Sequence, residues 1–450
     1  MTFFANGEGK TGSVSQRRIT GRTNKMSSYV MNDKKTFLAA VCLFLACAAV
    51  INLAGCAIRV RATEDLMEGI SAGDVISPAG VEPESAGKAA DFAVRLFRQS
   101  NENGKNTLVS PLSVLAVLSM TANGAAGETK AEMEKVLGMD VGELNVFFRS
   151  YMNTLGKDEK NKLSLANSIW FKADDNFSVR RDFLQTNADY YGAGAYKAPF
   201  DKSTLNDIND WVNDRTDGMI PEVLDAIPEN AIMYLINALA FDAEWEEIYT
   251  KENQIREGQF TLEDGTEQTV ELMHSTEAAY LEDGNATGFI KYYAGRRYAF
   301  AALLPNEGVT VSDYVGSLDG KALRDMLSSP EEVSVDVMLP KFETEYNTEM
   351  SDVLIRMGMP TAFDGSGADF SLIGSYRDAN IFISRVIHKT FVSVGEKGTR
   401  AGAATVVEMA KNGGAFTEKS VILDRPFVYM LIDTETNIPF FIGTMMNPAK

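Results

Sequence analysis

Cysteine is almost missing from this chain of 450 residues: Cys42, Cys47 and Cys56 are the only three, and none follows them. Disulfides therefore cannot staple residues 57–450, and the fold there has to be held by its core alone. A chain that is 45% hydrophobic and of this length can supply such a core. Histidine is scarcer still, with His274 and His388 as the whole complement. Two imidazoles exclude a His-rich metal site and leave little for a His-dependent catalytic triad, while carboxylate chemistry stays open. No metal or cofactor is expected. Basic charge is also short, since residues 57–450 carry 36 Lys and Arg against 60 Asp and Glu. A body that acidic does not bind nucleic acid or other polyanions through bulk charge. Repeats and low-complexity tracts are absent from it.

What is present begins with an address. Lys34 and Lys35 precede an apolar run from Phe37 to Leu53, which closes on Leu53-Ala54-Gly55-Cys56. A basic flank, a short apolar core and small residues before a cleavage point make a secretory signal. The four-residue ending resembles the bacterial lipobox, in which the cysteine is acylated and becomes the new N-terminus; an uncleaved membrane helix is the alternative reading of a run this long. Residues 1–33 read as an N-terminal extension or a mis-assigned start, with Met31 the more natural beginning, and 34–56 as a lipoprotein signal peptide. Residues 57–85 mix Gly, Pro, Ser, Ala and acids and read as a flexible tether, spanning roughly 30 Å as a random coil. Residues 86–450 read as one domain. The expected location is extracellular or at the cell surface, with lipid anchoring to a bacterial membrane.

The body is of mixed type. Ala89, Phe92, Ala93, Leu96 and Phe97 repeat at helical spacing. Ser110-Pro111 introduces a second helix through Met120, with Pro suited to a first turn. Leu205, Ile208, Trp211 and Val212 predict another that ends near Gly218. Val333, Val335, Val337 and Leu339 alternate as in a strand, whereas Tyr298 to Leu304 and Phe427 to Ile432 are continuous apolar runs, as in strands buried on both faces. Helices early, strands late and no regular alternation predict an α+β fold. Ile381 to Val394 and Val421 to Ile432 read as strands, and between them lies a loop of about 26 residues, Gly395 to Ser420. Loops that long are uncommon in compact domains and are usually functional or disordered.

That loop reads Glu396-Lys397-Gly398-Thr399-Arg400-Ala401-Gly402-Ala403-Ala404-Thr405. It resembles the hinge of the serpin family: an acid, then Gly, Thr, Glu and a run of small residues. Other blocks resemble the family in its own order. They are Asn106-Thr107-Leu108-Val109-Ser110-Pro111-Leu112-Ser113, Ile208-Asn209-Asp210-Trp211-Val212, Asn237-Ala238-Leu239-Ala240-Phe241 with Trp245, Leu339-Pro340-Lys341-Phe342, Val386-Ile387-His388-Lys389, Arg425-Pro426-Phe427 and Met446-Asn447-Pro448. The resemblance covers residues 86–450. It implies three β-sheets, about eight or nine helices, and a reactive-centre loop displayed above a five-stranded sheet. It also implies a metastable monomer that is no enzyme but a serine protease inhibitor. The target cleaves the loop, and the loop then inserts as a new strand and distorts the protease before hydrolysis is complete.

Strand geometry puts Thr399, Ala401, Ala403, Thr405, Val407 and Met409 on one face, all small or apolar, and Arg400, Gly402, Ala404, Val406 and Glu408 on the other. The resemblance makes the first face the buried one after insertion. Arg400 stands where the family usually has Glu, on the outward face. Counting from Glu396 as the family does puts the reactive bond at Asn412–Gly413, with Lys411 a rival. The first implies an asparagine-specific cysteine protease as partner, the second a trypsin-like serine protease. Ser110, Ser113, Asn237 and His388 match the family's shutter, and Trp245 its breach at the top of the sheet. Val141 to Gly156 offers Arg149 as its only basic residue before Lys157, so no heparin-type cofactor is expected. The alternative function is a non-inhibitory serpin acting as a binding or carrier module.

Overall fold

The computed structural model describes residues 63–76, 78–155, 161–228, 231–250, 254–377, 380–399 and 418–449. The chain divides at Arg61/Ala62, and every described residue belongs to the second unit. Cys56, the signal peptide, and the loop residues Arg400, Ala401, Ala403, Thr405, Lys411, Asn412 and Gly413 lie outside the described residues.

Nine α-helices form among the described residues. The first, α1 (Pro83–Ser100), starts on a proline and buries Ala86, Ala89, Phe92, Ala93, Leu96 and Phe97, the face its periodicity marks out. The next, α2 (Pro111–Ala122), also opens on proline, and all twelve of its residues are buried. Such a helix is apolar all round because it runs through the core. Further on, α3 (Arg181–Tyr191) stops at Gly192 in the left-handed region, and α4 (Lys202–Arg215) is capped by Asp201, whose carboxylate accepts from the Ser203 and Thr204 amides.

The largest sheet holds five long strands and two of only two residues. Numbered within this sheet they are β1 (Glu64–Asp65), β2 (Asn161–Lys172), β3 (Gly194–Ala198), β4 (Met233–Glu244), β5 (Phe342–Glu349), β6 (Arg385–Gly395) and β7 (Gly398–Thr399), in the spatial order β1-β3-β2-β4-β7-β6-β5. Alternate residues of β4 face opposite cores. Met233, Leu235, Leu239 and Phe241 join the main core, whereas Tyr234, Ile236 and Ala238 join a smaller one with Ile208 and Val212 of α4. Buried on both faces, β4 reads as a nearly continuous apolar run. A six-stranded sheet runs from Thr107–Val109 through Ile438–Met445, Phe427–Asp433, Tyr298–Pro305 and Ala286–Tyr292 to Ala279–Glu282. A four-stranded one joins Lys419–Ile422, Val335–Pro340, Glu267–Glu277 and Ile255–Thr261.

Three sequence expectations differ in extent. The strand expected from Val333 begins at Val335, and the one expected from Ile381 begins at Arg385. The stretch expected as a flexible tether, 57–85, lies on the body from Thr63 to Ile76. There Glu64 and Asp65 pair with Lys197 and Tyr196 of β3, and the Thr63 hydroxyl donates to Asp207 at 2.6 Å. Leu66, Met67 and Ile70 pack on the core, and the Gly73 amide donates to Asp189 at 2.8 Å. Backbone pairing and three apolar side chains are enough to hold it there.

The helix Gly320–Ser328 packs so closely on α1 that a Cβ on Gly320 would lie 2.7 Å from the Asp91 backbone nitrogen. Gly320→Ala is therefore expected to cost about 1–3 kcal/mol, seen as a lower thermal midpoint. An unchanged midpoint would show that the two helices can part freely.

Candidate functional site

The chain leaves β6 at Gly395, turns back, and lays Gly398 and Thr399 between β6 and β4: Thr399 pairs with Val394 on one side and Ala243 on the other. Glycine is required at 398. Its φ is +151°, and a Cβ there would sit 2.9 Å from the Ala243 carbonyl carbon and closer still to its oxygen. Thr399 is buried, and its hydroxyl meets the buried Tyr293 hydroxyl. Beyond Thr399 the loop leaves the described residues.

Three consecutive hinge carbonyls are gripped from one side. The indole Nε1–H of Trp245 donates to Gly395 at 2.8 Å, the Tyr249 amide to Glu396 at 3.0 Å, and the Trp245 amide to Lys397 at 2.8 Å. Trp245 in turn stacks on Tyr293, with ring centroids 4.3 Å apart and 10° between planes. The Glu396 carboxylate pairs with Lys341, which also reaches Glu271 at 3.1 Å. Burial pushes the Glu396 carboxyl up, but the Lys341 ammonium outweighs this and holds it below its ordinary value.

Halfway down the sheet β4 and β6 touch directly, in a parallel ladder from Tyr234/Arg385 to Ala238/Lys389. His388 and Asn237 face each other in this ladder, and both are buried. Asn237 bonds Ser113 through both its amide oxygen and its amide nitrogen, and it donates to Asn167 of β2 at 2.9 Å. The Ser110 amide donates to His388 Nε2 at 3.0 Å, so that nitrogen carries no proton, and Nδ1–H faces the Asn237 oxygen at 3.4 Å. Ser110 thus joins the cluster through its backbone, while its buried hydroxyl has no partner among the described residues. Burial pushes the His388 pKa down to about 3. The ring is neutral, and the cluster ties β4, β6, β2 and α2 into one arrangement.

The structure therefore brings Ser110, Ser113, Asn237 and His388 together, and places Glu396, Gly398 and Thr399 beside Trp245 at the upper end of the same sheet. Sequence reasoning did not single out Asn167, Tyr293 or Lys291, nor give Lys341 a role. Asn167 had a visible signal, an amide between Leu165-Ala166 and the apolar stretch Ile169 to Phe171. For Tyr293 and the two lysines, unremarkable in sequence, only tertiary packing reveals the position.

Two outcomes are expected. Gly398→Ala should force the hinge off β4 at a cost of about 1–3 kcal/mol, read as a lower thermal midpoint of the uncleaved protein; retention of the wild-type value would place β7 elsewhere. Acid should also act through His388. Its unfolded form takes a proton below about pH 6.5 and its folded form only near 3. In that window the unfolded state binds more protons, so stability falls as pH drops from 6.5 towards 3. Comparing midpoints of wild type and His388→Gln across that range should show the shallower acid slope in the variant, and equal slopes would contradict it.

Comparisons with known proteins agree with this geometry. The family model described as serpin (serine protease inhibitor) matches residues 87–448. An uncharacterised serpin-like protein of Thermococcus kodakarensis is 31% identical, covering 79% of this chain and 84% of the relative, and the leukocyte elastase inhibitor of Equus caballus is 30% identical, covering 79% and 97%. Among solved structures, the thermophilic serpin tengpin in its native state superposes with a TM-score of 0.82 at 44% identity, covering 86% of this chain and 99% of that one. Its latent state gives 0.72. With the hinge, the strand order and the matched length in agreement, the chain belongs to the serpin family.

Proposed function

We propose that this chain inhibits proteases by trapping them: the target cleaves within the loop that follows Thr399, and the freed end inserts between β4 and β6. The observation that carries the reading is β7, two hinge residues already paired with both strands. Extending its register residue by residue brings Ala401 level with Phe241, Ala403 with Leu239, and Thr405 with Asn237 on one side and His388 on the other. Thr399 is buried, so by the two-residue period Ala401, Ala403, Thr405, Val407 and Met409 follow it inward. Each is small or apolar enough for a closed core. The outward set carries Arg400, which comes level with Asp242, and Glu408, which comes level with Arg385.

The reactive bond is Asn412–Gly413, with Lys411 the alternative. An asparagine-specific cysteine protease fits the first and a trypsin-like serine protease the second. The lipobox-like ending at Cys56 supports secretion and lipid anchoring on a bacterial surface.

Incubating residues 57–450 with trypsin, chymotrypsin, elastase and a legumain should give an SDS-stable covalent complex with at least one. Mass spectrometry of the released fragment then locates the bond. Clean cleavage without complex across the panel would sink the trapping reading. Ala403→Arg places a charge on the inward face opposite Leu239 and should convert inhibitor to substrate, whereas undiminished complex formation would argue against insertion in this register.

A further inference from the structure

Lys291, on the strand Ala286–Tyr292, is the one lysine in the buried class among the described residues, its side chain 2% exposed. A charge taken out of water is costly unless it is paired and its remaining hydrogens are satisfied. Here they are. Nζ donates to Glu277 Oε1 at 2.8 Å and to the Glu247 carbonyl at 3.3 Å, and it lies 4.7 Å from the ring centroid of Tyr249 and 5.4 Å from that of Trp245. The same Glu277 oxygen accepts from the Ser275 hydroxyl at 2.6 Å, and Ser275 Oγ meets the Tyr249 hydroxyl at 3.2 Å. Lysine, glutamate, serine and tyrosine close into one part-buried network, with two aromatic faces laid on the cation. Burial alone would lower the ammonium pKa, but Glu277 more than compensates and holds it above its ordinary value.

What this network touches gives it a purpose. Residues Trp245 to Tyr249 follow β4 without regular structure apart from an isolated bridge between Trp245 and Tyr293, so little ladder fixes their shape. Yet this segment supplies all three donors that hold the hinge carbonyls of Gly395, Glu396 and Lys397. Lys291 meets it at three points, the Trp245 ring, the Glu247 carbonyl and the Tyr249 ring. We propose that Lys291 is a positioning residue for loop insertion: its buried charge sets the clamp 245–249, the clamp sets the turn 395–397, and the turn sets the register in which β7 starts. The proposal rests on the insertion reading above and adds that the start of insertion is fixed from beneath the hinge by a cation in another sheet.

The test reads insertion without needing a target protease. The loop is nicked with papain, and the gain in heat resistance is followed with time for wild type, Lys291→Met, Lys291→Arg and Tyr249→Phe. Met keeps the length and apolar stem but removes the charge, and is expected to slow the gain by about fivefold or more; Arg should stay within about twofold of wild type, and Tyr249→Phe should fall between. A merely structural role would lower the midpoint before nicking and leave the rate of gain alone. Equal rates for wild type and Lys291→Met overturn the proposal. Should Lys291→Met fail to fold, Tyr249→Phe decides, and a wild-type rate in that variant overturns it. Absence of any gain in the wild type is a different result, because it removes the insertion reading itself and this proposal with it.

Discussion

The molecule turns on a parallel pairing that stands where an antiparallel strand could fit. From Tyr234 to Ala238, β4 lies directly against Arg385 to Lys389 of β6. Parallel ladders are slightly weaker per residue than antiparallel ones. A strand placed between the two, continuing β7, would exchange one parallel ladder for two antiparallel ones and bury a further row of small side chains. On the insertion proposed above, the sheet is thus closed but not optimal, and the rest of the architecture would govern its opening. The Asn237–His388 cluster holds the middle, and the grip on residues 395–397 holds the top. Between them the hinge is already started, which is why Gly398 and Thr399 matter more than their two paired residues suggest.

Both holding devices use buried polar groups in place of apolar packing. A purely apolar seam would resist separation by area alone and could slide, whereas a satisfied set of hydrogen bonds has one arrangement and gives way as a unit. His388 suits this place because burial keeps it neutral, so it serves as both acceptor and donor without a charge to solvate. At the upper end, Lys291 and Glu277 form an ion pair, which is tolerated because the ammonium also meets the Glu247 carbonyl and two aromatic faces.

Much of this was legible in the chain. The face of α1, the buried run of α2 and the two continuous apolar strands follow from periodicity, and the hinge stood out as a long stretch of small residues between strands. Ordered blocks then identified the family. The misses have physical causes. Val333 prolongs the alternation past the last paired residue, since side-chain pattern continues where backbone pairing stops. Ile381 and Ile383 are buried and so look like strand, yet the ladder begins only at Arg385 with β4 and at Ile387 with β5. Residues 63–76 are held largely by backbone bonds, which leave no mark on composition. The Lys291 network joins three separate segments, carrying Tyr249, the Ser275–Glu277 pair and Lys291, and no spacing along the chain announces it.

The docking of β1 also fixes a polarity. Glu64 is level with Lys197, Phe171 and Met233, whereas the hinge is level with Ala243. Ten residues of strand, about 33 Å, separate the two, so the chain reaches the sheet at the end remote from the hinge. Continued in register, the inserting segment brings Met409 down to Met233. On the insertion proposed above, the protease would be carried from the hinge end of the sheet to the end where the chain enters it.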